Sequence, residues 1–372
     1  MSVQYVKLGD VCAKDSSNIA QKDLKDCFGK YPVYGAGGYI QNVGFYHQED
    51  EYIAIVKDGA GIGRAMILPA KSSVIGTMQY IIPDKNKVDI HYLYYAIINM
   101  ELGKYFSGAT IPHIYFKDYQ KEIFKLPNLK IQKKIADNLK NIDLMIAKKN
   151  KQISLFNELV KSRFIEMFGD PVTNSKMWEI DCLGNITTKI GSGMTPRGGK
   201  ESYLATGVAL IRSMNVHDGK FEYKDLAYIS AKQASEMKNV ELIENDVLFN
   251  ITGASVTRTC VVPNTILPAR VNQHVAIIRC INESLNPIFL NNLFLQDGFK
   301  YKLLNLARAG GATREAITKQ QLEDLNVILP PIEIQNQFAD FVEQTDKSKL
   351  EIQKSLDKLE ILKKSLMQQY FG

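Results

Sequence analysis

In this 372-residue chain the stretch with the most obvious chemical potential is Gly59-Ala-Gly-Ile-Gly63. A glycine loop of this kind cradles the phosphates of a dinucleotide, or the tail of a methyl donor, when it opens a helix whose N-terminus faces the anion. Here Arg64-Ala-Met-Ile-Leu-Pro follows, an apolar run ended by proline, which reads as a strand. The glycines are therefore read as a tight turn between strands, where they still let the backbone come close to a phosphate chain. The five histidines (His47, His91, His113, His217, His274) show no zinc-ligand spacing. The five cysteines contain no Cys-x-x-Cys pair, and no Gly-x-Ser-x-Gly elbow occurs. The only Pro-Pro, in Leu329-Pro-Pro-Ile, stands at the start of a helix and not in the Asn/Asp-Pro-Pro-Tyr/Phe setting that base methylation uses. No catalytic constellation is legible, so the chain is read as a non-enzyme without a cofactor or metal of its own.

Basic and amide side chains at turns offer a different chemistry. Lys57, Arg197, Arg212, Asn215, Gln273 and Arg314 sit in or next to loops, and Arg64 and Arg258 follow a small-residue turn in the same slot of two related segments. Arginine and lysine bind phosphate, arginine also reads guanine, and Asn or Gln reads adenine. The Arg64/Arg258 match needs a shared cause, either a common phosphate contact or a common structural ion pair.

These residues belong to a unit written twice. Residues 126–169 align without a gap on residues 329–372, an offset of 203, with Ile131/Ile334, Gln132/Gln335, Asp143/Asp346 and Phe168/Phe371 among the identities. A second block aligns at an offset of 194 (Gly59 on Gly253, Arg64 on Arg258, Gln79 on Gln273), and Leu8-Gly9 matches Leu183-Gly184 at 175. The second copy thus carries about 19 extra residues early and about nine later.

Each copy reads as a mixed head followed by one long helix. Short runs such as 51–56, 64–69 and 79–83, with counterparts at 247–250, 258–263 and 274–278, are rich in branched and aromatic residues and bounded by Gly and Pro, as strands are. A short helix follows at His91 and again at Asn286. In the tail, Ile135, Leu139, Ile142, Ile146, Lys149, Ile153, Phe156, Val160, Arg163 and Met167 alternate steps of four and three. Phe338, Val342, Thr345, Lys349, Ile352, Leu356, Leu359, Lys363, Leu366 and Tyr370 repeat that seam. The short link at Phe168-Gly-Asp-Pro predicts that the two helices pair antiparallel, the alternative being that each folds onto its own head. The expected class is α+β: two mixed α/β recognition domains related by pseudo-twofold symmetry, separated by an antiparallel coiled coil of two long helices. The expected boundaries are 1–125 and 170–328 for the heads and 126–169 and 329–372 for the helices.

Apolar residues make up 45% and charged residues 23%, ordinary for a globular chain with more than one domain. A formal charge of +6 permits a polyanionic partner without demanding one. An odd, scattered cysteine set, no secretion signal and no bilayer-length apolar run lead to the expectation of a cytoplasmic protein with no membrane partner.

Tyr31-Pro-Val-Tyr34-Gly-Ala-Gly-Gly, Leu210-Ile-Arg-Ser-Met-Asn, Gly108-Ala-Thr110-Ile-Pro-His113-Ile and Leu126-Pro-Asn-Leu-Lys-Ile-Gln-Lys-Lys-Ile-Ala stand in this chain. Gly310-Gly-Ala-Thr313-Arg314-Glu-Ala-Ile and Leu329-Pro-Pro-Ile-Glu-Ile-Gln-Asn-Gln-Phe-Ala are second-copy versions of the last two. In this order, twice, they resemble the specificity subunit of type I restriction-modification systems over nearly the whole chain. The resemblance implies a non-catalytic DNA reader in which each head takes one half of a bipartite duplex site and the helices set the unread spacer. It also implies two modification subunits, which bring S-adenosylmethionine and methylate adenine N6, and restriction subunits that use ATP and Mg. By position and charge, and not as matched motif residues, the DNA-contact candidates are Tyr34, Lys57, Arg64, Gln79, Thr110, His113, Arg197, Arg212, Asn215, Arg258, Gln273, Thr313 and Arg314. A protein-protein scaffold with two divergent binding heads is the alternative.

Overall fold

Two helices of 40 residues each, Leu129–Phe168 and Ile332–Phe371, dominate the architecture of the computed structural model, which describes residues 4–108, 111–309 and 315–372. The first opens on an Asn cap, with the Ile131 N–H donating to Asn128 Oδ1 at 3.0 Å. It stops at Gly169, whose left-handed φ of 76° a side chain would strain, and Trp178 Nε1 covers the freed Phe168 carbonyl at 2.9 Å. All twenty seam positions named above are buried or half-buried.

The chain divides into two compact units, Met1–Lys151 with Gln353–Gly372 and Gln152–Ile352. Each therefore holds half of each long helix. The physical reason is visible in the cores. In the first unit Ile135, Ala136 and Leu139 of the central helix and Met367 and Phe371 of the C-terminal helix are buried in one cluster with Tyr92 and Phe124. Lys363 pairs with Asp143 at 2.5 Å, so the two segments run antiparallel here. In the second unit Phe164 and Phe168 meet Phe338 of the other helix, both at 5.4 Å between ring centres, and Lys349 Nζ donates to Asn157 Oδ1 at 3.1 Å. Within each unit the helices pack both on the head and on each other.

Both heads have the same layers. A four-stranded antiparallel sheet, in spatial order Cys12–Ser16, Met78–Pro83, Tyr52–Val56, Ala65–Leu68, recurs as Thr187–Ser192, Val275–Cys280, Val247–Asn250, Thr259–Val261. A three-stranded sheet follows suit: Tyr31–Gly35 lies between antiparallel Gly38–Val43 and parallel Ser73–Val74, as Val208–Ile211 lies between Ala227–Ile229 and Ala269–Val271. The four-stranded sheet is sandwiched. Ile53, Ile55 and Ile81 face the helix Ile90–Asn99, while Tyr52, Ala54, Val56 and Tyr80 face the smaller sheet. Burial on both faces explains why Tyr52–Val56 is apolar throughout instead of alternating.

The length differences have definite places. Most of the early extra residues form the connection 212–226, where the first unit turns in residues 36–37. The later ones are absorbed by the 12-residue helix Asp297–Arg308, where the first unit has only the 3-10 turn Leu102–Tyr105. Among the described residues no helix is long and apolar enough to cross a membrane.

Candidate nucleic-acid interface

The glycine turn is positioned by backbone alone. In the first unit the Gly63 N–H donates to the Val56 carbonyl at 2.8 Å and the Val56 N–H to the Arg64 carbonyl at 3.0 Å, closing a hairpin whose glycines 59, 61 and 63 all have left-handed φ. In the second, Thr257 donates to Asn250 at 2.9 Å and Asn250 to Arg258 at 2.8 Å. Thr257 takes the Gly63 place at a φ of 72°, and each turn leads into a strand and not an α-helix, the second passing through the 3-10 turn Gly253–Ser255.

A strap from much later in the chain closes over this turn. Gly59 N–H donates to the Pro112 carbonyl and Ile114 N–H to the Lys57 carbonyl, both at 2.9 Å. Gly253 to Glu315 and Ile317 to Ile251 repeat these two bonds at the same distance. The turn belongs to the block with offset 194 and the strap to the block with offset 203, so the two aligned blocks form one site in each unit.

The side chains around this common frame differ. In the first unit Asp58 accepts from Lys57 Nζ and lies 2.7 Å from His113 Nδ1. Burial raises the Asp58 carboxyl, but the hydrogen bonds and charges of Lys57 and His113 outweigh it and hold the group below the ordinary carboxylate range. A concavity of about 520 Å³ opens beside it, lined by Lys14, Lys57, Gln79, Tyr115, Lys117 and their neighbours. Tyr115 is 51% exposed and the Lys117 ammonium sits 5.4 Å from its ring centre. Three lysines and an exposed aromatic ring lining one concavity suit a phosphate backbone and a stackable base.

In the second unit Thr252 replaces Asp58, and its Oγ1 lies 2.7 Å from His274 Nδ1. The adjoining concavity, about 530 Å³, is lined by Ser213, Met214, Thr252, Arg258, His274, Glu315 and the turn residues between them.

The expected contact residues fall into four groups. Lys57 lines the first concavity, His113 shares the Asp58 carboxylate with it, and Arg258 lines the second. Arg64 is exposed and donates to the Ala36 carbonyl. Tyr34 is half-buried edge-on to Tyr39 at 6.1 Å, Arg197 is exposed, and Gln273 is exposed and accepts from Thr195 Oγ1 at 2.5 Å.

Three expectations are corrected by burial or internal bonding. Asn215 is 0% exposed; its Oδ1 accepts from the Arg212 N–H, and its Nδ2 donates to the Glu222 and Lys224 carbonyls. Gln79 is 1% exposed, and its amide donates to the Tyr119 hydroxyl. Arg212 is bound to the Asp225 carbonyl and stacked 5.5 Å from the Tyr203 ring centre. Amide and guanidinium groups spent on their own fold are not free for base edges. Thr110, Thr313 and Arg314 lie outside the described residues.

Sequence reading missed Lys14, Tyr115, Lys117, Met214, Thr252 and His274, which line the concavities. Tyr115 and Lys117 follow the quoted Ile-Pro-His113 phrase directly, and His274 adjoins Gln273, so adjacency was the available signal. Among the described residues no group of three or more His, Cys, Asp or Glu is placed to hold a metal.

The family model for the type I restriction modification DNA specificity domain matches residues 2–155 and 176–362. The chain is 24% identical over 332 residues to the type I restriction enzyme MjaVIII specificity subunit of Methanocaldococcus jannaschii, covering 85% of this chain and 77% of that one. It is 26% identical to the putative MjaX specificity subunit of the same organism, covering 74% and 68%. The crystal structure of a type I restriction-modification S subunit from M. genitalium shares the fold at a TM-score of 0.65 and 15% identity, covering 100% of this chain and 96% of that one. A chain from a study of assembly and conformational transition of the type I system matches at 0.55 and 16%, covering 99% and 97%.

Proposed function

Because the chain belongs to the type I restriction modification DNA specificity domain family, we propose that it is the non-catalytic specificity subunit of such a complex, each unit reading one half of a bipartite duplex site. The observation that carries this reading is the turn-and-strap frame built twice from the same backbone hydrogen bonds and furnished with different side chains each time. Identical frames suit a common task, approach to the phosphodiester backbone, and unlike furnishings suit unlike half-sites. The paired helices set the length of the unread spacer. They also dock two modification subunits: the helices leave Leu144, Leu155, Leu159, Leu350 and Leu362 exposed, and of these Leu159 and Leu362, at 47% and 46%, are equivalent at the offset of 203. S-adenosylmethionine enters with those subunits, and ATP and Mg with restriction subunits.

The test is to map N6-methyladenine genome-wide in cells carrying the modification subunits with and without this chain. The expected result is methylation of one discontinuous motif that depends on the chain. Chain-independent methylation, or methylation of a continuous motif, would overturn the reading.

A further inference from the structure

The frame common to both units cannot distinguish one half-site from another. Its bonds join backbone atoms, and its arginine slot carries the same side chain twice. Discrimination must reside where the units share a location and differ in chain. One such place is the connection leaving the central strand of the three-stranded sheet. Tyr31–Gly35 returns into Gly38–Val43 through residues 36–37, whereas Val208–Ile211 returns into Ala227–Ile229 through residues 212–226. Both connections reach the arginine slot. Ala36 accepts from Arg64, and Ser213 and Met214 line the concavity with Arg258.

The longer connection is built as a rigid piece. Asn215 knots its base with three internal hydrogen bonds. Asn250 Nδ2 donates to the Ser213 carbonyl at 2.9 Å, and the Gly219 N–H donates to the Thr259 carbonyl at 2.8 Å. Lys300 pairs with Asp218 at its tip, and Val216 and Phe221 are buried in the core. Such a piece presents its remaining groups with little ordering cost on binding. What it presents into the concavity is Met214, 43% exposed. The apolar feature that duplex DNA offers in the major groove is the thymine C5-methyl.

Resting on the DNA-reading function proposed above, we propose that residues 212–226 are the specificity-determining element of the second unit and that Met214 contacts a base edge, favouring a thymine methyl. The first unit, with Ala36 and Gly37 at that place, reads its half-site without such a contact.

Met214→Gln and Met214→Ala, both surface changes, are introduced into the full chain with the modification subunits, and methylated motifs are mapped beside wild type. The expected result is a motif altered at one or two positions of one half only, with methylation at the original site reduced about ten-fold and the other half unchanged. An unaltered motif with both variants, or equal relaxation of both halves, would overturn the assignment. A wild-type chain that directs no bipartite methylation would instead overturn the function on which it rests.

Discussion

Gln132 Oε1 accepts the N–H of Asp89 at 2.8 Å, and Gln335 does the same for Asn286 at 2.9 Å. Each amide also donates to two carbonyls, of Lys87 and Pro127 in one unit and of Ser284 and Pro330 in the other. Asp89 and Asn286 are in turn the N-caps of Ile90–Asn99 and Pro287–Phe294. A buried amide in the first turn of each long helix thus locks that helix to the cap of the head's own helix.

Replacing Gln335 with Ala leaves the Asn286 N–H and two carbonyls without their partner in a site 0% exposed. A loss of about 2–4 kcal/mol is expected in the urea-unfolding free energy, since each stranded buried group costs about 1–3 kcal/mol and water recovers part of it. A change below about 0.5 kcal/mol would contradict the locking role.

The contacts between the long helices are unequal. Phe338 is 0% exposed and touches Phe164 and Phe168, so Phe338→Ala is expected to cost about 3–5 kcal/mol. The Lys363–Asp143 pair is about one third exposed at both side chains, and Lys363→Ala is expected to cost about 0–1 kcal/mol. Denaturant midpoints of the two variants measured side by side check the ranking.

Asp58 supplies a pH dependence. Its folded-state carboxyl lies below the unfolded value, so its pairing with Lys57 and His113 contributes stability that is present above about pH 4 and lost as pH falls through the folded value. The protection of the Ile114 and Gly59 amides, which hold the strap, against hydrogen exchange, taken relative to the intrinsic exchange rate at each pH, should fall on acidification in wild type. In Asp58→Asn that acid-linked component should be missing.

Arg64→Ala and Arg258→Ala should each weaken the complex's binding to duplex through one half-site, lowering the salt-dependence slope by about one phosphate contact. Fluorescence anisotropy over a salt series, on duplexes altered in one half at a time, reads this. Equal loss at both halves would contradict the division of labour.

Much of this fold is written locally. The spacing of Ile135, Leu139 and Ile142, and of Phe338, Val342 and Thr345, announces buried helix faces because a helix returns each side chain to one side every three or four residues. The apolar runs at 52–56 and 247–250 announce sheet interior, and the offset of 203 announces the repeat. The seam also predicted the antiparallel meeting of the helices, through a link too short for any other arrangement. Candidate contacts were less legible, because residue type does not reveal whether a polar group is already used. Asn215 and Arg212 have the chemistry of base readers, yet the fold consumes both.

The sequence by itself determined that one plan is repeated and that its helices share a seam. Only the tertiary structure decided that the turn at Gly59 and the strap at Pro112 form a single site, and that each compact unit closes with half of each long helix. The physical reason is that backbone N–H and carbonyl groups are the same in every residue. Bonds between them across a gap of fifty residues leave no mark on side-chain pattern and become visible only once the chain has folded.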